Sequence, residues 1–145
     1  MIKVRFYEEV EDSLIDYAVI VSRYRNKWVF CKHKSRETYE VPGGRREQGE
    51  LVLETARREL YEETGAVDYE IKPIGIYSVT DEENLSTRPK ESYGMLYYAM
   101  IHSFAKLPDY EMEQVVFMDE CPKNMTYPQI QPVLMDRVVQ ELKEA

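Results

Sequence analysis

Acidic and basic residues are concentrated in one short stretch of this sequence. Residues 44–65 contain six glutamates and four arginines, namely Glu47, Glu50, Glu54, Glu59, Glu62, Glu63, Arg45, Arg46, Arg57 and Arg58. Carboxylate oxygens are the ligands that hard divalent cations prefer in proteins. The stretch therefore has the side chains to bind Mg²⁺ or Mn²⁺, provided that the chain brings several of its carboxylates together.

A helix would bring them together. Helical spacing begins at Glu50 and ends at Thr64-Gly65, where a glycine suits a helix C-terminus. At ~100° per residue, three carboxylates share an arc of roughly 100°, and they are those of Glu59, Glu62 and Glu63. This acidic stripe borders the apolar stripe of Ala56 and Leu60. We expect the carboxylates at the rim of the core, where like charges lose hydration and a divalent cation would relieve their repulsion.

A second interpretation of the acidic helix is that its glutamates pair with neighbours on a solvated surface. Glu54 and Arg58, four residues apart, could form such a pair. However, the glycine-punctuated segment 42–49 precedes the helix, and its backbone can approach a ligand closely and offer main-chain carbonyls or amides. A flexible backbone followed by an acidic helix favours a ligand site over a solvated helix.

The remaining elements must hold this stretch in place. β-branched and aromatic residues alternate in several runs, which predict strands at residues 4–7, 17–21, 27–31, 67–80, 93–104 and 115–118. Residues 23–26 are typical of a hairpin turn, the charge-rich segment 81–92 of a loop, and the apolar spacing from residue 130 of a C-terminal helix. This order predicts an α/β (α+β) fold in a single domain, residues 1–145, with a mixed sheet covered by the two helices.

Composition excludes several classes of protein. The chain has 145 residues, of which 43% are hydrophobic, and 27 acidic against 19 basic residues give a net charge of −8. Such a charge argues against stable, charge-driven DNA binding and against a polybasic membrane anchor. No run of ~18 apolar residues is present, so we expect a cytoplasmic protein that does not span a membrane. Cys31 and Cys121 show no zinc or disulfide pattern.

The spacing of the acidic stretch resembles the Nudix box. The matching positions are Gly44, Glu50, Arg58-Glu59-Leu60, Glu62-Glu63 and Gly65. Ala66 departs from the pattern, since the family usually has a larger aliphatic residue there. The segment 39–44 that leads into the box is also similar to the family, and so is the order of elements on both sides, so the resemblance extends over the whole chain.

The resemblance implies a Nudix α/β/α sandwich and a reaction in which water attacks phosphorus in a nucleoside diphosphate linked to another group. It implies Mg²⁺ or Mn²⁺ as cofactor, because both enzyme and substrate are acidic. The implied ligands are the Gly44 carbonyl, Glu59, Glu62, Glu63 and a carboxylate from the loop before the last strand, Glu113 or Glu111, of which we favour Glu113. One glutamate, Glu59 or Glu62 among the candidates, would be the general base. Arg58, with Glu50 nearby, would orient a glutamate.

The sequence signals for residues that contact the substrate are less specific than those for the metal ligands. Lys32 and Arg36 could touch the distal phosphates, and Arg88 and Lys90 could close over a substrate. MutT-like enzymes recognise guanine with an asparagine that here aligns with Ile130, so a neighbouring amide, Gln129 or Gln131, could take that role.

We expect a nucleoside triphosphate, oxidised or not, as the first substrate candidate. An RNA 5′ end is the second candidate and a dinucleoside polyphosphate or nucleotide sugar the third. A non-catalytic nucleotide-binding module is the alternative of another class.

Overall fold

The computed structural model describes residues 1–82 and 90–144. In these ranges the strands are β1 (Ile2–Tyr7), β2 (Ile15–Tyr24), β3 (Lys27–His33), β4 (Tyr39–Glu40), β5 (Gly43–Arg45), β6 (Ala66–Asp81), β7 (Glu91–Phe104) and β8 (Met112–Met118). The helices are α1 (Val52–Thr64), α2 (Gln131–Glu144) and a 3-10 turn at Asp12–Leu14.

All of these strands belong to one sheet. Its order is β1-β6-β7-β2-β3-β4, while β5 pairs with β2 and β8 pairs with β3. The β2–β7 pair is parallel, and the other described pairs are antiparallel. The predicted mixed sheet is therefore confirmed.

The two faces of the sheet are buried under different helices. Successive residues of a strand point to opposite faces, and β2 follows this rule: Ala18 and Ile20 pack in one core with Ala56 and Leu60 of α1. The next residues in the alternation, such as Val21, pack in a second core with Leu134 and Val138 of α2. Helix, sheet and helix thus form the α/β/α sandwich that the sequence predicted.

Both ends of α1 follow local rules. The Glu54 side chain accepts a hydrogen bond from the Leu51 backbone N–H at 2.8 Å, which satisfies one free amide of the first turn. Gly65 ends the helix with φ at 80°, a left-handed conformation that glycine adopts without a steric cost. The predicted C-terminus of the helix is confirmed, and Glu54 is a capping residue rather than the partner of Arg58.

Sheet pairing makes the strands longer than the apolar runs suggested. β6 continues to Asp81 and β7 begins at Glu91, so most of the predicted 81–92 loop, including Arg88, falls at residues 83–89, outside the described residues. β8 begins at Met112 because it pairs with β3 as far as His33. Glu113 consequently lies within a strand, not in the preceding loop. No helix in residues 1–82 and 90–144 is long and apolar enough to cross a bilayer.

Candidate active site

Two glycines of β5 allow α1 to lie close to the sheet. Gly43 and Gly44 pair with Val19 and Ala18 of β2. A Cβ atom on Gly44 would lie 2.3 Å from the carboxyl carbon of Glu59, and one on Gly43 would lie 2.6 Å from the Ala18 carbonyl oxygen. Any side chain at either position would collide with its neighbour. The glycines thus place a helix carboxylate directly against the backbone of β5.

Glu63 is buried beneath the helix. Its Oε1 accepts a hydrogen bond from the Gly43 backbone N–H at 2.7 Å. Burial raises the pKa of Glu63 to about 9, the Gly43 hydrogen bond opposes this rise, and the charges of Glu59, Glu40 and Glu111 add to it. A buried carboxylate surrounded by other acids is a position where a cation would be strongly favoured.

Glu59 and Glu62 differ in their exposure. The Glu59 side chain is 15% exposed, and burial raises its pKa against the opposing effect of Arg58. The Glu62 side chain, at 28%, lies at the edge of the helix face. The half-buried positions of Glu59 and Glu62 agree with the expected rim of the core, whereas Glu63 is buried because the glycines of β5 leave room for it under the helix.

Arg58 connects the acidic residues. Its Nε and Nη2 donate to the two carboxylate oxygens of Glu50 at 2.7 and 3.1 Å. Its Nη1 donates to Glu59 at 2.8 Å and to Glu62 at 3.1 Å, and Nη2 also donates to the Arg45 carbonyl at 3.1 Å. The Arg58 hydrogen bonds are the main reason why the pKa of Glu50 is lowered to about 2. The guanidinium group thus fixes the orientation of three carboxylates at once.

The carboxylates of Glu59, Glu62 and Glu63 do not converge on one point in this arrangement. Among the described residues, no group of three or more His, Cys, Asp or Glu side chains is arranged to hold a metal ion. Arg58 holds two of the three glutamates, and the Gly43 amide holds the third. The chemistry of the donors still fits a hard divalent cation, because carboxylates that lose water on burial regain stabilisation from a dication.

The additional carboxylate near this group is that of Glu111. Its charge contributes to the raised pKa values of Glu59 and Glu63. Glu113, which the sequence favoured, instead accepts a hydrogen bond from the Lys32 ammonium group at 2.5 Å, and this pairing lowers the pKa of Glu113. Glu111 directly precedes β8, whereas Glu113 lies within it next to a register shift in the β3–β8 pair and is engaged by Lys32.

A cavity of about 450 Å³ lies next to Gly43 and Gly44. This volume falls within the range of sites for small organic ligands. The polar and aromatic residues among those that line it are Tyr17, Glu40, Arg45, Tyr77, Ser92, Tyr127 and Gln131. The cavity therefore adjoins the acidic helix face and offers aromatic, cationic and anionic groups to a ligand.

The substrate residues expected from the sequence are only partly brought together. Arg36 does not line the cavity itself, but its Nη1 donates to Glu40 Oε2 at 3.2 Å and lies 3.5 Å from the Tyr127 hydroxyl, and these two residues do line it. Lys32 is buried and paired with Glu113. Gln129 is exposed and is not among the residues that line the cavity.

Gln131 lines the cavity, but its amide is already engaged. Its side chain accepts a hydrogen bond from the Val41 backbone N–H at 2.7 Å and lies 3.4 Å from the Val41 carbonyl oxygen. These bonds tie the start of α2 to the segment before β5, so Gln131 fixes the cavity wall.

Sequence reasoning gave no substrate role to six polar or aromatic lining residues, which are Tyr17, Glu40, Arg45, Tyr77, Ser92 and Tyr127. Glu40 had a local signal, because it directly precedes the segment Val41 to Gly44. Tyr17 had no local signal in the sequence, because it reaches the cavity only through the pairing of β2 with β5, in which it lies opposite Arg45.

The comparisons with known proteins agree with this fold. The NUDIX domain profile matches residues 14–130. YtkD of Bacillus subtilis (strain 168), provisionally named an 8-oxo-dGTP diphosphatase, is 34% identical over 108 residues. That match covers 74% of this chain, and it spans only 64% of the length of YtkD.

Solved structures show the same architecture. A mutant of the Bacillus subtilis pyrophosphohydrolase BsRppH matches with a TM-score of 0.77 and 25% identity, over 97% of this chain and 90% of that one. A C. elegans Ap4A hydrolase matches in fold with a TM-score of 0.66 and 16% identity, over 90% of this chain and 99% of that one. The chain belongs to the NUDIX family.

Proposed function

We propose that this protein is a pyrophosphohydrolase that requires Mg²⁺ or Mn²⁺ and cleaves a phosphoanhydride bond of a nucleoside triphosphate. The observation that carries the proposal is the position of Glu59 and Glu63, whose partly desolvated carboxylates lie against Gly43 and Gly44 at the edge of a cavity of about 450 Å³. A nucleoside in the cavity would place its phosphates beside these carboxylates.

Each residue of the acidic group has a role in this proposal. The Gly44 carbonyl, Glu59, Glu62 and Glu63 hold the cation, together with Glu111 or Glu113. A bound divalent cation neutralises phosphate charge and lowers the pKa of water. Glu59 or Glu62 takes the proton from the attacking water. Arg58 is a positioning residue, because its contacts with Glu50, Glu59 and Glu62 set the orientation of these carboxylates.

The cavity also supports a nucleotide as substrate. Arg36 lies beside the cavity through its contacts with Glu40 and Tyr127, and Arg45 lines the cavity beside Gly44. Arg45 forms no ion pair among the described residues and can face phosphate oxygens, whereas the charges of Arg36 and Lys32 are already compensated by Glu40 and Glu113. Gln129 remains a candidate for base recognition only if the segment before α2 moves on binding.

A second candidate substrate is the 5′-triphosphate end of RNA. It is supported by the similarity to the pyrophosphohydrolase BsRppH, which extends over 97% of this chain. Dinucleoside polyphosphates and nucleotide sugars stand third, with support from the fold of the Ap4A hydrolase alone.

The test is a substrate panel with and without metal. The purified protein is incubated with nucleoside triphosphates including 8-oxo-dGTP, with 5′-triphosphate RNA and with ADP-ribose, in Mg²⁺, Mn²⁺ or EDTA, and released pyrophosphate or phosphate is measured. We expect turnover with metal only, highest for a triphosphate. Glu62→Gln should lose at least ~100-fold in kcat. Glu54→Gln, on the same helix, should stay within about twofold because glutamine can also cap the first turn.

The outcomes separate the alternatives. If the panel shows no turnover above that of Glu62→Gln while nucleotides still bind, the chain is a nucleotide-binding module and the proposed activity is wrong. Turnover that persists in EDTA would contradict the metal requirement.

A further inference from the structure

A second pocket, of about 300 Å³, lies at the opposite end of β2 from Gly44. We call it the turn pocket, and its polar and aromatic lining consists of Arg23, Tyr24, Arg25, Asn26, Tyr98 and His102. Gly44 pairs with Ala18, five residues before Arg23, which corresponds to roughly 17 Å along a strand. The pocket is therefore separate from the candidate active site.

The two arginines of the turn pocket lack an acidic partner. Several arginines elsewhere in the structure form ion pairs with carboxylates, and they include Arg5, Arg46, Arg58 and Arg137. Within residues 1–82 and 90–144, Arg23 and Arg25 form no ion pair. In a chain with a net charge of −8, two uncompensated arginines beside one pocket are a local reversal of charge.

Arg23 is held by packing and is short of acceptors. Its guanidinium lies 4.6 Å from the centre of the Trp28 ring. Its Nε–H is buried and has no hydrogen-bond partner among the described residues. A buried donor without an acceptor is costly, and an acceptor-rich ligand is one explanation for it.

Arg25 is held in an unusual backbone conformation. Arg25 and Asn26 form the turn between β2 and β3 with φ values of 49° and 67°. Asparagine and glycine are favoured in such turns, and an arginine there costs conformational energy. The conformation keeps the Arg25 guanidinium 5.1 Å from the Tyr24 ring, at the pocket.

Neighbouring charges leave the pocket basic. The Glu70 carboxylate lies 3.0 Å from the Nε2 of His102 and is a single negative charge against the two arginines. Lys72 lies opposite Tyr98 in the β6–β7 register and projects from the same face of the sheet. Cations beside tyrosine rings are the groups that bind phosphate and stack on a base.

We propose that the turn pocket is a second, non-catalytic binding site for a phosphate group, carried by a nucleotide or by the backbone of an oligonucleotide. A triphosphate bound beside Gly44 is too far away to reach it. The site does not depend on the proposed hydrolysis, so the two proposals can fail separately.

Trp28 provides a direct measurement, because it is the chain's single tryptophan and contacts Arg23. Its fluorescence is recorded in EDTA, without turnover, while inorganic phosphate, UMP or a 5′-hydroxyl RNA pentamer is added. We expect a saturable change in emission with all three. Tighter binding of the pentamer than of UMP would identify an oligonucleotide backbone as the source of the phosphate, and equal binding would identify a free phosphate or nucleotide.

Variants make the test specific. Arg25→Asn suits the left-handed turn and should fold normally while weakening phosphate binding about tenfold or more. Arg25→Lys keeps the charge and should restore most of the affinity. Arg57→Gln removes an arginine of α1 that does not line the turn pocket and should change nothing. A signal reproduced by NaCl at equal ionic strength, or unchanged affinity in Arg25→Asn, would overturn the proposal.

Discussion

At the scale of single residues, two adjacent arginines of α1 have different environments. Arg58 donates to Glu50, Glu59 and Glu62 and is 25% exposed in its side chain. Arg57 contacts only the Tyr69 ring and hydroxyl among the described residues. A planar guanidinium can serve several carboxylates at once, which a lysine ammonium group cannot do with the same geometry.

Arg58→Lys should therefore lower kcat about tenfold or more and destabilise the fold by about 1–3 kcal/mol, because the partly buried Glu50 loses a paired donor. Arg57→Lys is the matched control and should leave both quantities nearly unchanged. Steady-state kinetics and urea unfolding measure the two effects. Equal kinetics for the two variants would refute the positioning role of Arg58.

At the scale of elements, the contact between β5 and α1 forms the candidate site. A side chain added at Gly44 would occupy the space that the Glu59 carboxylate fills. The carboxylate is the end of a flexible side chain, so the protein can tolerate a methyl group there by moving it. In the proposed mechanism, activity depends on the position of the Glu59 carboxylate, whereas the packing of the core does not.

Gly44→Ala should lower kcat at least ~10-fold while shifting Tm by no more than a few degrees. Gly75→Ala is a suitable control, since a Cβ atom at Gly75 would meet nothing within 4 Å. Metal-dependent turnover and thermal unfolding are measured for both variants and compared. A Gly44→Ala enzyme of normal activity would show that Glu59 need not lie against β5.

The buried face of the second helix contributes to stability. Leu134 of α2 is 0% exposed and packs in the core with Val21 and Val138, whereas its neighbour Val133 is 39% exposed. Leu134→Ala should cost about 2–5 kcal/mol of unfolding free energy, and Val133→Ala about 0.5 kcal/mol or less. Urea unfolding compares the two variants, and similar losses would mean that α2 does not cover the sheet as described.

At the scale of the whole molecule, one carboxylate connects three strands of the sheet. Glu91 of β7 accepts hydrogen bonds from Ser78 of β6 at 2.6 Å, Tyr7 of β1 at 2.5 Å and Tyr93 of β7 at 2.8 Å. These bonds, that of Ser78 first, hold the pKa of Glu91 below its usual value. The folded state therefore binds a proton at Glu91 less readily than the unfolded chain does.

This shift makes stability depend on pH in a defined direction. The contribution of Glu91 is present in full above the unfolded pKa of ~4.3 and disappears as the pH falls through the lower folded pKa. Glu91→Gln should cost about 1–2 kcal/mol at pH 7 and progressively less below pH ~4. Urea unfolding from pH 3 to 7 measures this, with Glu141→Gln on α2, where the side chain is 38% exposed, as control. A pH-independent difference would contradict the assignment.

The sequence by itself determined the local features: the extent of α1, the glycine that ends it, the alternating strands and the spacing of the acidic residues. Each depends on residues within a few positions of one another, so periodicity and backbone preference are sufficient. The same local pattern carried the resemblance to the family, which the NUDIX profile confirms over residues 14–130.

Only the tertiary structure decided which groups meet. It buried Glu63 against β5 with Glu59 half-buried beside it, and it brought the charge of Glu111 near both while Glu113 pairs with Lys32. It also formed the cavity from β2, β5 and the start of α2. These contacts depend on which strands pair and in what register, and no short segment of the chain contains that information.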